Sequence, residues 1–319
     1  MAKKHSFLKT ILVATGSLYA ANKLIDYSAK GKNMCSSDLG YFYTSNHGEI
    51  YYTKQGKGAP LLLIHNLDTT SSSYEWSKII KKLERKYTVY TMDLLGCGQS
   101  DKPCLTYSNY MYVQIVTEFI KNIIGKKTSV IVSADASPIV IMANHMDNSL
   151  FHKIIMINPP DIKSMKMETT KVQMLKKKIL FTPLIGTSLY NYYVSEEHIK
   201  KVFRDEFFSK KNSDVSRYVD TYYQAAHIHN SNGRFLYASK LCAYTNIDVS
   251  IGLRDKDNIF ILSGTDRKRG VSIVDAYTSI NDKIDVTYLS NSKLLPQLEV
   301  PDHCINAIQS FLDEKESAS

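Results

Sequence analysis

The chain is short of the residues that punctuate or staple unusual folds. Its 319 residues include 14 glycines, 8 prolines, 5 cysteines and 1 tryptophan, which excludes a collagen-like repeat, a proline-rich linker and a disulfide-stapled miniprotein. Cys35, Cys97, Cys104, Cys242 and Cys304 form no Cys-x-x-Cys pair and have no histidines clustered beside them, so they read as free thiols rather than a disulfide framework or a zinc site. His227 and His229 are two residues apart, on different faces of any helix, and nothing nearby completes a metal shell. They read as ordinary polar histidines. The sequence therefore calls for no metal and no cofactor.

What is present is an ordinary globular composition, 44% hydrophobic and 22% charged. At about 150 residues per domain the length suits one large domain or two modest ones. Lysine and arginine outnumber aspartate and glutamate 40 to 31, for a formal charge of +9. The lysines are scattered. The densest run, Lys176 to Lys178, follows Val172, Met174 and Leu175 and reads as the solvated edge of a helix. No nucleic-acid motif accompanies it, so no nucleic-acid partner is expected.

The first 38 residues stand apart. Lys3, Lys4 and Lys9 precede a charge-free run from Thr10 to Asn22. As a helix that run reaches only about 20 Å against a hydrocarbon core of about 30 Å; Phe7, Leu8, Leu24 and Ile25 with snorkelling lysines lengthen it. We expect residues 7–25 to form a helix that tethers the chain to a membrane. A signal peptide, which would make the chain secreted, and an amphipathic helix lying on the protein or on the membrane surface are the competing readings. A cytoplasmic chain is the remaining option. Residues 26–38 read as a polar linker.

From residue 39 the pattern becomes a strand and helix alternation. Tyr41 to Tyr43 and Glu49 to Thr53 flank Asn46-His47-Gly48 as a hairpin. Pro60 to His65, Thr88 to Leu95, Ser129 to Ser133 and Lys153 to Asn158 are short apolar runs of strands buried on both faces. Helical spacing fills the intervals at 74–87, 109–124 and 136–145. This order demands an α/β fold, with a mostly parallel sheet and helices on both faces. After Pro160 about 85 residues show only helical periodicity and are crowded with tyrosines, among them Tyr190, Tyr192, Tyr193, Tyr218, Tyr222 and Tyr223. Strands resume at Asn258 to Ser263 and Asp285 to Leu289, and Asp302 to Leu312 is a last helix. The expected division is 1–38 anchor or signal-like helix and linker, 39–160 with 245–319 core, and 161–244 an inserted helical lid.

In open α/β sheets ligands sit beyond the carboxyl ends of the strands, so the residues after each strand carry the site. The glycines of Asp93-Leu-Leu-Gly-Cys-Gly-Gln-Ser-Asp-Lys-Pro103 do not make a dinucleotide fingerprint, which lacks here its third glycine, its helix start and its acidic partner. Ser133-Ala134-Asp135-Ala136-Ser137 is a strand-to-helix turn with small residues two positions either side of Asp135, the spacing of a nucleophile elbow.

With these motifs in hand, residues 39–314 resemble the α/β-hydrolase family. Asp93 to Pro103 looks like that family's Asp-x-x-Gly-x-Gly-x-Ser-x-x-Pro segment, Pro296-Gln-Leu-Glu-Val-Pro301 resembles its carboxy-terminal signature, and the helical insertion lies where the family carries its cap. The resemblance implies a triad of nucleophile, acid and histidine. Asp135 takes the nucleophile slot, as in haloalkane dehalogenases and epoxide hydrolases, and Asp266 the acid slot. The histidine slot, five residues before Glu299, holds Leu294. The oxyanion donors implied are the backbone N–H groups of Leu67 and Ala136, with Asn66 where the family has glycine; Leu67 and Ala136 match neither residue of the dehalogenase halide site.

Without a histidine, an ester formed on Asp135 would lack the base that activates water. The expected function is a member of this family with weak or no turnover, binding a small apolar molecule under its lid. Two alternatives stay open: an active ester, epoxide or haloalkane hydrolase using Asp135, and a membrane-tethered scaffold whose pocket is filled by lid side chains. Asp135 also has a purely structural reading, as an N-cap tolerant of a tight turn, with Pro138 fitting the first turn of the helix that follows.

Overall fold

The apolar runs line up as one sheet. A computed structural model describes residues 2–31, 40–210 and 213–313; Cys35 and most of the expected linker lie outside the described residues. Its strands are β1 (Gly40–Ser45), β2 (Gly48–Gln55), β3 (Ala59–Ile64), β4 (Tyr87–Met92), β5 (Thr128–Ser133), β6 (Phe151–Ile157), β7 (Ile259–Gly264) and β8 (Asp285–Leu289), in the order β1-β2-β4-β3-β5-β6-β7-β8. The β1–β2 hairpin closes with Ser45 opposite Gly48, β2 runs antiparallel to β4, and every other pairing is parallel.

The longer helices are α1 (Ala2–Lys30), α2 (Asn109–Phe119), α3 (Ser137–Met146), α4 (Lys171–Phe181), α5 (Ile185–Tyr193), α6 (Glu196–Val202), α7 (Ser216–His227), α8 (Arg234–Leu241), α9 (Gly270–Thr278) and α10 (Pro301–Asp313). Local sequence starts several of them. The Ser108 hydroxyl accepts the Met111 N–H ahead of α2, Thr170 and Gln173 form a capping box on α4, Ser195 caps α6, and Pro138 occupies the first turn of α3. The segment from α4 to α8 lies between β6 and β7 in the chain and adds no strand to the sheet.

Alternation along the buried strands splits the core into two layers. Leu62 and Ile64 of β3 and Val130 and Val132 of β5 pack with α2, α3 and α9 on one face. Leu61, Leu63 and Ile131 pack on the other with Trp76, Ile79, Leu83 and the Cys304, Ile305, Ile308 and Phe311 side of α10. The lysine that opens the otherwise apolar run of β6 closes a helix end. The buried Lys153 ammonium donates to the carbonyls of Phe311 and Leu312, at 2.8 and 2.7 Å, where α10 ends.

Two amino-terminal expectations need correction. Residues 26–30 are not linker, because α1 runs on through Lys30. Its second half is docked on the helical segment: Asn22 donates to the Leu184 carbonyl and the Ser188 hydroxyl and accepts from Asn191, Asp26 accepts from the Ser231 hydroxyl, and Ala29 is fully buried. Among the described residues no helix is long and apolar enough to cross a membrane, so a tether formed by residues 7–25 is not a single-pass span. The Lys176–Lys178 run also divides. Lys176 and Lys178 are exposed, whereas Lys177 turns inward, donating to the Thr106 hydroxyl at 2.8 Å and lying 4.5 Å from the centre of the Tyr244 ring.

The Asp93 to Pro103 motif is a structural clamp. Asp93 is buried; its Oδ1 accepts the Ser73 N–H at 2.7 Å and its Oδ2 the Gln99 N–H at 2.8 Å. Gly98 has φ +46°, and a Cβ there would lie 2.1 Å from Asp93 Oδ2. Gly125 has a left-handed φ of +67° as well, but open space where a Cβ would go. Gly98→Ala combines backbone strain with overpacking and should lower unfolding free energy by about 2–4 kcal/mol, while Gly125→Ala should cost only about 1–2 kcal/mol. Urea denaturation of the two variants checks this, and equal losses would show that the clamp is not what demands glycine.

Candidate functional site

The loop after β3 is fixed from beneath. His65 is buried, and its Nε2 accepts the Leu94 N–H at 3.0 Å, so the proton sits on Nδ1, which donates to the Asn66 carbonyl at 2.7 Å. The Asn66 N–H donates to Glu75 Oε2 at 3.1 Å, and the Tyr222 hydroxyl of α7 donates to Glu75 Oε1 at 3.3 Å. Burial pushes the Glu75 carboxyl above its ordinary pKa, against the hydrogen bonds it accepts. Burial likewise raises the Tyr222 phenol, and Glu75 beside it adds to the rise.

The turn after β5 is a sharp elbow whose left-handed residue is Ala134, with φ 42°. In such an elbow the strained residue presents its side chain at the top of the sheet, and the next backbone N–H faces the developing oxyanion. The apex here thus carries a methyl group, and the N–H beside it belongs to Asp135. That N–H donates to the side-chain Oδ1 of Asn66 at 3.1 Å. The structure therefore shifts the expected constellation by one residue. Asp135 follows the apex, Ala136 is buried in the turn into α3, and Leu67 is buried with its carbonyl accepting from the Lys240 ammonium.

Asp135 makes no side-chain cap on the helix that follows. Its Oδ2 instead lies 3.1 Å from Lys240 Nζ, and Asp68 Oδ2 lies 3.4 Å from the same nitrogen. Lys240 is on α8, so one ammonium from the inserted segment meets two carboxylates from the loops of the core. Burial opposes the charge on Lys240, but Asp135 and Asp68 outweigh it and raise its pKa above the lysine norm. Burial also disfavours the Asp68 anion, yet Lys240 and the Thr70 hydrogen bonds prevail and hold its pKa below the aspartate norm.

A cavity of about 410 Å³ lies over this cluster, with Ala134, Asp135 and Leu294 on the core side and Tyr193, Phe207, Tyr222, Tyr237 and Lys240 from the inserted helices. Burial pushes the Tyr237 phenol up to about 12. Leu294 stands in the cavity wall where the resemblance implies histidine, and its carbonyl accepts from Asn158 Nδ2 at 3.0 Å. Asp266 does not enter the cavity: it is exposed, accepting from the Thr265 hydroxyl at 2.9 Å and from the Ser209 hydroxyl. Its neighbour Arg267 lines the cavity in its place. His303 is exposed on α10, and His227 is buried with Nδ1 bonded to the Tyr223 carbonyl at 2.7 Å. Among the described residues no group of three histidine, cysteine or acidic side chains is placed to hold a metal, and Cys97, Cys104, Cys242 and Cys304 are free.

Sequence spacing centres the elbow on Asp135 because Ser133 and Ser137 flank it symmetrically. Centring on Ala134 puts Val132 two residues before the apex, so spacing alone hides the true apex. Lys240 and Arg267 carry no motif at all.

With this geometry in place, comparison with known proteins is informative. Residues 59–177 match the family model of the α/β-hydrolase fold. Over 81 residues, a quarter of this chain and 28% of the relative, the chain is 35% identical to a 2-hydroxy-6-oxo-6-(2'-aminophenyl)hexa-2,4-dienoic acid hydrolase of Metapseudomonas resinovorans. Over 86 residues, 27% of this chain and 29% of the relative, it is 33% identical to a soluble epoxide hydrolase of Corynebacterium sp. strain C12. The matched stretches thus span less than a third of these curated relatives. Among solved structures, a meta-cleavage product hydrolase from Pseudomonas fluorescens superposes with a TM-score of 0.70 at 16% identity, covering 86% of this chain and 98% of that one. A bacterial membrane phospholipase A superposes with a TM-score of 0.69 at 20% identity over the full length of both chains. At such identities the structural likeness is one of fold. The sheet order, the elbow after β5 and the matched segment agree: the chain has the α/β-hydrolase fold.

Proposed function

We propose that the chain is a member of this family that has lost hydrolytic turnover, and that it binds a small molecule with an apolar body in the cavity beneath a helical lid formed by residues 161–244. The observation that carries this reading is the elbow: its apex side chain is a methyl group, and the N–H that would hold an oxyanion is already occupied by Asn66. Leu294 on the opposite wall cannot accept a proton, so the histidine base that the resemblance implies is missing from that position; His198 and Glu206 also line the cavity, but on the inserted helices rather than on the loop before α10. The cavity itself is retained, at a volume within the usual range of small-molecule sites. That favours a binder over a scaffold whose pocket is filled. Val194, Ile199, Val202, Phe207 and Leu294 offer the apolar wall, and Lys240, Asp135 and Arg267 a polar end. We further propose that α1 holds the chain at a membrane surface, with its second half bound to the lid and its first half engaging lipid.

The active alternative is a hydrolase that uses Asp135 as its nucleophile, and it is tested directly. Wild-type protein incubated with p-nitrophenyl esters, epoxides and haloalkanes should show no multiple turnover, and intact-protein mass spectrometry should find no adduct, because Lys240 holds the Asp135 carboxylate. A covalent adduct on Asp135 that persists would restore it as a crippled nucleophile, and steady turnover would refute the proposal altogether.

Binding has its own readout. Octanoate and 1-octanol should raise the melting temperature of the wild type, since a ligand bound only by the folded state stabilises it by roughly 2.7 kcal/mol at a hundred times its dissociation constant. Val202→Trp, which fills the cavity, should abolish the shift; an unchanged shift would place the ligand elsewhere.

A further inference from the structure

The outer surface of the lid is unusual for a protein layer that faces water. Val172, Leu175 and Ile179 recur at helical spacing on α4, and Ile185, Leu189 and Tyr192 do the same on α5. Each trio falls within an arc of about 60° at 100° per residue. Both stripes are exposed rather than buried: Val172 is 63% accessible, Leu175 59%, Ile185 57% and Tyr192 74%. The two helices pack on each other, and α5 also packs on α1, where Leu12, Val13 and Leu24 are exposed. Scattered apolar residues on a surface need no explanation, but two aligned stripes on neighbouring helices do.

The charges around the stripes indicate what covers them. On α4, Lys176 flanks the apolar arc on one side and Lys171 and Lys178 on the other, all three exposed. From residue 161 to 195 the chain has six lysines, Lys163, Lys166, Lys171, Lys176, Lys177 and Lys178, against Asp161 and Glu168, a balance of six minus two, or +4. An apolar stripe bordered by lysines complements a bilayer with anionic headgroups, into which the apolar side chains sink while the ammonium groups stay at headgroup level. A second copy of the chain fits less well, since a two-fold pairing would set these lysines against their own kind without facing acids.

We propose that the outer face of α4 and α5 docks on an anionic lipid bilayer, lying in the interface plane beside α1, so that the lid over the cavity is itself the membrane-contacting surface. This rests on the membrane association proposed above for α1 and adds a second contact to it. A ligand with an apolar body would then reach the cavity from the bilayer side.

The test uses full-length protein in flotation with phosphatidylglycerol-containing and pure phosphatidylcholine vesicles. Wild type should float with the anionic vesicles. Leu175→Glu with Ile185→Glu, or Lys176→Glu with Lys178→Glu, should each reduce partitioning by about tenfold or more, given roughly fivefold per basic residue near an anionic surface. Both variant pairs lie on exposed positions and should retain the wild-type circular dichroism and melting temperature. Ile185→Trp gives an independent readout, because the native Trp76 is fully buried: its emission should shift to the blue on vesicle addition and be quenched by brominated lipid. If the lid variants float as the wild type does while Leu12→Glu with Val13→Glu abolishes flotation, the lid proposal is overturned and the α1 association stands. Protein that ignores all vesicles and runs as a dimer split by Leu175→Glu would assign the face to a second copy. A monomer that ignores vesicles would overturn both readings.

Discussion

The ammonium of Lys240 is the group on which the arrangement of the site depends. Asp68, after β3, and Asp135, just after β5, both point into the space between sheet and inserted helices, where two carboxylates without a counter-charge would repel each other and resist burial. One lysine from α8 answers both, at 3.1 and 3.4 Å, and also takes the Leu67 carbonyl. Core and inserted segment are thereby joined at the point where the family places its chemistry. The same contact occupies the Asp135 carboxylate with a cation whose protonated form the two aspartates stabilise. The second tie is of another kind. Tyr222 reaches from α7 to Glu75 beneath the loop, so the inserted helices grip the core by a charged contact above and a buried polar contact below.

The residues that keep the fold and the residues that would do chemistry are separable here. Asp93 with Gly98 locks the crossover loop. Asn158 at the end of β6 accepts from the Gly264 N–H and the Ser263 hydroxyl and donates to the carbonyls of Lys293 and Leu294, tying the ends of β6 and β7 to the loop before α10. Lys153 closes the end of α10. None of these contacts needs a serine at the elbow or a histidine on the last loop. With alanine at the elbow apex and leucine at position 294 the scaffold is whole, and the Asp135 N–H finds its acceptor in Asn66 Oδ1.

Sequence periodicity was sufficient for the fold because the fold is written in apolar spacing. Continuous runs such as Pro60 to Ile64 and Ser129 to Ser133 can only be strands covered on both faces, and helical spacing between them forces right-handed crossovers and a parallel sheet. The Asp93 to Pro103 and Pro296 to Pro301 segments are local motifs whose glycines and prolines answer backbone demands a few residues away. The helical insertion was equally legible, as an interruption of the alternation.

The site was legible only in outline. The absence of histidine at Leu294 could be read by counting, because it depends on chain position alone. Which residue stands at the apex could not, since Ala134 and Asp135 differ by one step along a turn whose backbone angles are set by how β5 enters α3. The partner of Asp135 lies 105 residues away on α8, and the choice between Asp266 and Arg267 as the cavity residue depends on which way one loop turns after β7. Likewise the run from Thr10 to Asn22 announces an apolar helix, but only its docking through Asn22, Asp26 and Ala29 shows that its second half belongs to the protein rather than to lipid. Sequence fixes what each element buries, because burial follows spacing within the element. Tertiary structure decides which charges meet, because that depends on loops brought together from distant parts of the chain.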